Sequence, residues 1–302
     1  MSTVRLQTST LLEESLSCQV LELARRAADN DGVDAISESF RLALHSPRPG
    51  VTHVISDAGG SRPIGYAARD AVGSAELVVD PASRRQGVGR ALLRALLEGG
   101  VSGVWAHGDL PAAQALAAAE GLGPTRQLHV MSRPLHDDDT ASPALPEGFS
   151  VRPFEVGRDE HPWLEVNALA FASHPEQGSI TLEDLNDRMS QEWFDPAGFF
   201  LLEDTSITDD DGGHPLAAFH WTKREPGSAA GEVYVLGVHP AYQRRGLAGP
   251  LTALGTAHLA RQGVERVDLY VDGDNTRALA TYRRAGFEDA AIHVVYGRTP
   301  TS

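Results

Sequence analysis

Apolar positions recur along the chain with two spacings. Short apolar or alternating runs predict strands, and stretches repeating at three and four residues predict helices. In the second half the strands fall at Ser150–Pro153, Phe199–Glu203, Leu216–Lys223, Glu232–Val238 and Arg266–Val271, with a last one near Ala291–Tyr296. Helices fall at about Arg158–Ala172, Thr181–Gln191, Leu247–Gln262, where Leu247, Leu251 and Leu254 share a face, and Thr276–Ala285. The first half repeats this more tersely: strands at Pro63–Arg69, Ala75–Val79, Val104–Ala106 and Gln127–Met131, helices at Val88–Glu98 and Ala112–Glu120. The order is mixed α/β with a mixed sheet in each half.

One motif is written twice at corresponding places. Asp80-Pro81 followed by Arg84-Arg85-Gln86-Gly87-Val88-Gly89 returns as His239-Pro240 followed by Gln243-Arg244-Arg245-Gly246-Leu247-Ala248. Each copy follows an apolar run, Leu77-Val78-Val79 or Leu236-Gly237-Val238, and each opens a helical stretch. The copies lie one domain length apart, so the chain is a tandem pair rather than a solenoid.

Between the halves, Pro134, Pro143 and Pro146 bracket His136-Asp137-Asp138-Asp139. Proline and like charge disfavour packing, so the domains are expected at 1–135 and 149–302, with a solvated linker at 136–148. A second cluster, Asp209-Asp210-Asp211-Gly212-Gly213, separates two strand-like runs and reads as a hairpin loop. It lacks the spacing and terminal glutamate of a calcium loop, and no metal site is expected.

Composition narrows the partners. The net charge of −15 disfavours a nucleic-acid polyanion and eases approach of an amine. A single cysteine, Cys18, excludes an intramolecular disulfide framework and a cysteine-based zinc cluster, and reads as a helix-face thiol. No apolar span of membrane length and no basic-then-apolar leader is present, so a cytoplasmic protein without membrane contact is expected. Oligomeric state is not readable, with a monomer as the simplest expectation.

A strand, a basic glycine loop and a helix start together bind anions. Backbone N–H groups of the first helical turn have no intrahelical partners and, with the helix dipole, form a site for phosphate oxygens. Gly87 and Gly246 clear the approach and the adjoining arginines add charge, so a pyrophosphate is the natural occupant. The rival dinucleotide fingerprint fails: Gly87-Val88-Gly89-Arg90-Ala91-Leu92 lacks the third glycine and no acid follows about 20 residues on.

Here the residues carry a family resemblance. The Gln243–Gly249 loop, with Asn275-Thr-Arg-Ala278-Leu-Ala-Thr-Tyr282-Arg-Arg-Ala-Gly286-Phe287, is similar to the acetyl-CoA signature of GNAT-type acetyltransferases. The resemblance implies two tandem GNAT domains with acetyl-CoA as donor. Its pyrophosphate would sit on Gln243, Arg244, Arg245, Gly246, Leu247, Ala248 and Gly249, and Leu236, Gly237 and Val238 would pair with the pantetheine arm. Asn275, Thr276, Arg277, Ala278, Leu279 and Ala280 would line its other side. In the first half the matching positions are Leu77, Val78, Val79, Arg85, Gln86, Gly87, Val88, Gly89 and Arg90. Glu232 would be the general base, directly or through water. Tyr282 stands where the family places the acid for the CoA sulfur.

The repeat supplies an internal control. Aligning Pro81 with Pro240 sets Gly73 opposite Glu232, and aligning Gly121-Leu122 with Gly286-Phe287 sets Ala117 opposite Tyr282 and Leu110 opposite Asn275. The first half keeps the phosphate loop but lacks the base, the acid and the asparagine. It is expected to be non-catalytic.

A closer resemblance, over nearly the whole chain, is to the mycothiol synthase family of two-domain GNAT enzymes. It rests on Phe171-Ala-Ser-His174-Pro175-Glu176-Gln177-Gly178, Trp193-Phe-Asp-Pro-Ala-Gly198-Phe199, His220-Trp221-Thr222-Lys223 and Gly231-Glu232-Val-Tyr-Val-Leu-Gly237-Val238. That family acetylates the cysteinyl amine of a cysteine–glucosamine–inositol conjugate. The resemblance implies acceptor contacts from Glu176, Lys223, Glu232 and Tyr270, with Glu38 reaching in from the first half. Two other readings stay open at this point: a tandem acetyltransferase for another small amine of the aminoglycoside or polyamine type, and a non-catalytic acetyl-CoA sensor.

Overall fold

The computed structural model describes residues 4–298 apart from 47, 58, 61, 173 and 209–211, and only the backbone of Pro175 and Glu176. The acidic cluster at Asp209–Asp211 therefore lies outside the described residues. Packing divides the chain into Met1–Leu128 with Ala291–Ser302, and His129–Ala290.

In the first unit, β1 (Arg5–Ser9), α1 (Glu14–Asp31), α2 (Glu38–Ala43), β2 (Thr52–Asp57), β3 (Pro63–Arg69) and β4 (Ser74–Val79) precede α3 (Val88–Glu98), β5 (Gly103–Ala106) and α4 (Pro111–Ala119). β1 to β4 form an antiparallel meander, and β5 joins β4 in parallel. Alternation along β3 fills both faces: Tyr66 and Ala68 meet Val20, Leu23 and Phe40, while Ala67 meets Leu92, Leu96 and Ala117. Helix α3 contributes Val88, Leu92, Leu93 and Leu96, the apolar stripe its spacing predicts.

The chain passes between the units inside two strands, β6 (Gly123–Pro134) and β12 (Glu288–Gly297). The second unit runs β7 (Phe149–Pro153), α5 (Glu160–Ala170), α6 (Pro175–Gly178), α7 (Leu182–Met189), β8 (Phe199–Asp204), β9 (Leu216–Lys223), β10 (Ala230–Val238), α8 (Ala248–Arg261), β11 (Arg266–Asp272) and α9 (Thr276–Arg284). β7 to β10 are antiparallel and β11 joins β10 in parallel. Its core is aromatic. Trp163, fully buried, meets Phe199, Phe219 and Trp221 edge-on at ring-centroid distances of 5.4–5.8 Å.

The division corrects the expected boundaries. Residues 129–148 go with the second unit, because Met131 is buried among Val267 and Leu269 and Leu135 N–H donates to Glu265 O at 2.8 Å. The expected linker is largely exposed but pinned at points: Asp139 accepts from Arg133 and from the His136 N–H, and Ser142 accepts from Arg261 at 2.7 Å. The last strand goes the other way. Val294–Gly297 pairs antiparallel with β5, and Thr125 Oγ1 donates to Val295 O at 3.2 Å.

Candidate active site

The site is built on β10. Its pairing with β11 covers Ala230–Val233 and stops there, while its pairing with β9 continues to Val238. The two parallel strands thus part, leaving the Leu236–Val238 backbone edge towards β11 outside the ladder. A register shift between Val233 and Val235 makes Tyr234 an extra residue. Val233 packs with Val267, Leu269 and Leu279, whereas both Tyr234 and Val235 pack with Trp193, Phe219 and Trp221. A bulge of this kind re-aims side chains and increases local twist. Gly237 is required beside it, since a Cβ would stand 2.5 Å from the Phe219 ring.

Beyond β10, His239 Nδ1 accepts from Ala241 N–H at 3.2 Å and caps a single turn, Pro240–Tyr242. Arg244 then takes φ 67° and Gly246 φ 79° before α8 begins. Left-handed residues in this alternation turn successive N–H groups to one side. The geometry costs a side chain about 1–2 kcal/mol, yet Arg244 adopts it. Gln243, Arg244, Arg245 and Gly246 are exposed, and nothing stands within 4 Å of a Cβ built on Gly246 or Gly249. Arg245 stacks 4.8 Å from the Tyr242 ring centroid, and buried Leu247 anchors the loop against Leu251 and Leu254.

The facing wall is α9. Asn275 Oδ1 accepts from Ala278 N–H at 3.1 Å, so this asparagine caps the helix. Thr276, Arg277 and Ala280 are exposed and Ala278 is half-buried, but Leu279 points into the core. Val78, Val88 and Leu247 are likewise core side chains, so what these four can offer a ligand is main chain. Tyr282 lies edge-on to Phe287 at 5.9 Å, and burial pushes its hydroxyl pKa up to about 12. It is a donor throughout the neutral range.

Of the residues expected to contact the acceptor, Glu232, Lys223 and Tyr270 lie on adjacent strands around the first half of β10. Glu232 is the cross-strand partner of Lys223 on β9 and of Asp268 on β11. Tyr270 lies two residues beyond Asp268, hence on the same face, and is 49% exposed. Lys223 is held among aromatic rings. Only 7% exposed, it holds Glu225 at 3.0 Å, with its ammonium 4.7 Å from the Trp193 ring and 5.4 Å from the Tyr234 ring. Tyr234 OH accepts from Arg188 at 2.9 Å. Glu176 lies in α6, its side chain outside the described residues, and Glu38 opens α2 of the first unit.

In the first unit Arg85 and Gly87 repeat the left-handed pair, at φ 64° and 88°. Val79, Gln86, Gly89 and Arg90 keep the loop's places, but Arg84 is committed to Asp31 through two bonds of 2.8 and 2.6 Å. The β3–β4 ladder runs without a register shift. Gly73 precedes β4, Leu110 caps α4 without a side-chain bond, and Ala117 is core. Sequence reasoning missed Glu76, a 2% exposed carboxylate on β4. It accepts from Ser37 N–H at 2.7 Å and pairs with His107 at 3.2 Å. Burial alone would lower the His107 pKa, but Glu76 raises it. A lone glutamate inside Ala75-Glu76-Leu77-Val78-Val79 was the available signal.

Comparison with known proteins gives the family. The acetyltransferase (GNAT) family model matches residues 163–287. Mycothiol acetyltransferase of Kytococcus sedentarius is 48% identical, over 91% of this chain and 92% of its own. The Streptomyces coelicolor protein of the same name is 47% identical, over 93% and 91%. Among solved structures, a tandem GNAT protein from the clavulanic acid biosynthesis pathway superposes with TM-score 0.71 at 19% identity, covering 99% of this chain and 100% of that one. A GCN5-related N-acetyltransferase from Sphaerobacter thermophilus gives 0.65 at 23% identity, covering 98% and 97%. With a parted, bulged strand running into an N–H-lined loop, and relatives of nearly half-identical sequence over nearly full length, the chain belongs to the mycothiol acetyltransferase family of GNAT enzymes.

Proposed function

We propose that the second unit transfers acetyl from acetyl-CoA to the cysteinyl amine of a cysteine–glucosamine–inositol conjugate, yielding mycothiol. The observation that carries this is the parted β10. Its Leu236–Val238 edge faces the gap, the Arg244–Gly246 loop lies at one end, Glu232 at the other, and Tyr282 stands on the helix after β11. Pyrophosphate N–H contacts would come from the loop and the start of α8, with Arg244 and Arg245 adding charge. Backbone amides of Leu236–Val238 would pair with the pantetheine arm.

The acceptor arrives as an ammonium, because an α-amine has a pKa of roughly 7.7–8.0. Glu232 removes one proton, directly or through water, and the neutral nitrogen attacks the thioester carbonyl carbon. Charge developing on the carbonyl oxygen is met by a strand N–H. The C–S bond then breaks: the Tyr282 hydroxyl protonates the leaving thiolate, the nitrogen sheds its second proton to solvent as it becomes the amide, and solvent returns a proton to the tyrosinate. Tyr282→Phe keeps the ring against Phe287 and removes that donor, so turnover should fall on the order of 10²-fold with little change in the KM for acetyl-CoA.

The assigning experiment incubates purified protein and acetyl-CoA with the conjugate and, separately, with aminoglycosides, polyamines and simple amines. Release of CoA thiol and product mass are the readouts. Rapid acetylation of the conjugate with slow turnover of the others is expected. Turnover of simple amines without the conjugate would overturn the acceptor assignment, and tight CoA binding without any turnover would favour a sensor.

A further inference from the structure

The segment carrying Glu176 is tied down at both ends. Towards α5, buried Asn167 and Gln177 exchange two bonds: Asn167 Nδ2 donates to Gln177 O at 2.7 Å, and Gln177 Nε2 donates to Asn167 Oδ1 at 2.9 Å. The turn is closed by His174 N–H to Phe171 O and Gly178 N–H to His174 O, both 2.8 Å. In the other direction, His174 Nε2 stands 3.2 Å from Asp272 Oδ2. Asp272 is 7% exposed and ends β11. Its carbonyl accepts from Asn275 N–H at 3.0 Å, and Asn275 in turn caps α9. A single imidazole therefore joins the residue before Pro175-Glu176 to the turn that starts α9.

We propose that His174 is a positioning residue which, through Asp272, couples occupancy of the acetyl-CoA site to affinity for the acceptor amine. The inference rests on the proposed function together with the resemblance-implied contacts of Glu176 with the acceptor and of Asn275 with pantetheine. A donor resting on that turn fixes the Asp272 carboxylate, which then holds His174 and the backbone of α6 in the acceptor-ready place. Coupling between sites needs a contiguous element that both ligands bias, and it acts equally in both directions. Here that element is the His174–Asp272 bridge, with the Asn167–Gln177 pair holding the far end.

The experiment uses the full chain and desulfo-CoA, which occupies the donor site without transferring. Calorimetry measures conjugate affinity with and without desulfo-CoA, and desulfo-CoA affinity with and without conjugate. Wild type should show mutual tightening of roughly tenfold. His174→Ala and Asp272→Asn should each reduce that factor to about one while each ligand alone binds within about twofold of wild type. Their double variant should behave like either single one. In turnover, KM for the conjugate should rise about tenfold with kcat changed less than about threefold. His174→Gln serves as the milder variant where Asp272→Asn melts early. An undiminished coupling factor in folded His174→Ala and His174→Gln overturns the clasp alone. If wild type with desulfo-CoA does not bind the conjugate, the acceptor reading falls and the clasp falls with it.

Discussion

Glu232→Gln should lower kcat/KM for the amine on the order of 10²- to 10³-fold at pH 6 to 7 and progressively less above pH 8. Glutamine keeps the shape and hydrogen-bonding reach of the side chain beside Lys223 and Asp268 but cannot take up a proton. Below the amine pKa of roughly 8 nearly all acceptor is ammonium, so a reaction needing free amine depends on the base. Above it the solution has removed the proton and the base is redundant. The sign is therefore fixed: the deficit of the variant shrinks as pH rises through the amine pKa. A pH–rate profile from 5.5 to 9.5 reads it directly, and a profile parallel to wild type would remove Glu232 from the proton path.

Where side-chain pattern and local backbone agree, the sequence predicted the structure closely. Leu216–Lys223, Pro63–Arg69 and Val88–Glu98 fall on their expected bounds, since each buries a regular apolar set. β2 was missed because buried His53 and Ser56 interrupt its apolar run, His53 being satisfied by Tyr66 OH at 2.8 Å. The bulge at Tyr234 leaves the apolar alternation in the sequence unbroken, and only the pairing with β9 reveals it. Nor does a strand's own pattern say which strand it will pair with, so the placement of 291–298 with the first unit, through β5, was invisible. Part of the family-specific sequence turned out to be core: His220 and Trp221 are fully buried, and His220 Nδ1 lies 2.6 Å from Leu251 O under α8, with its pKa lowered to about 4 by burial. In the acidic run after Pro134, Asp137 and Asp138 stay exposed as their charge suggests, and only the pairing of Asp139 with Arg133 was hidden in the sequence.

Gly246→Glu should abolish turnover by removing acetyl-CoA affinity, whereas Gly87→Glu should leave kcat and the KM for acetyl-CoA close to wild type. The pair is a matched test. Both glycines are left-handed, at φ 79° and 88°, both are exposed, and a Cβ on either meets no atom within 4 Å. Each substitution therefore costs the fold about 1–2 kcal/mol of backbone strain and causes no clash in the unliganded protein. What differs is the consequence of a carboxylate on the loop. At about 4 Å from a pyrophosphate charge, with an effective dielectric near 20, repulsion amounts to about 4 kcal/mol, or roughly a thousandfold in affinity. Only the second loop leads from a bulged strand, the one that carries Glu232, so only there should this loss reach the chemistry. Steady-state kinetics and a CoA titration of each variant give the answer, with the CoA-induced rise in Tm as a check on binding. Loss of turnover in a folded Gly87→Glu protein would contradict a catalytic role confined to the second unit. Full turnover in Gly246→Glu would remove the Arg244–Gly246 loop from donor binding.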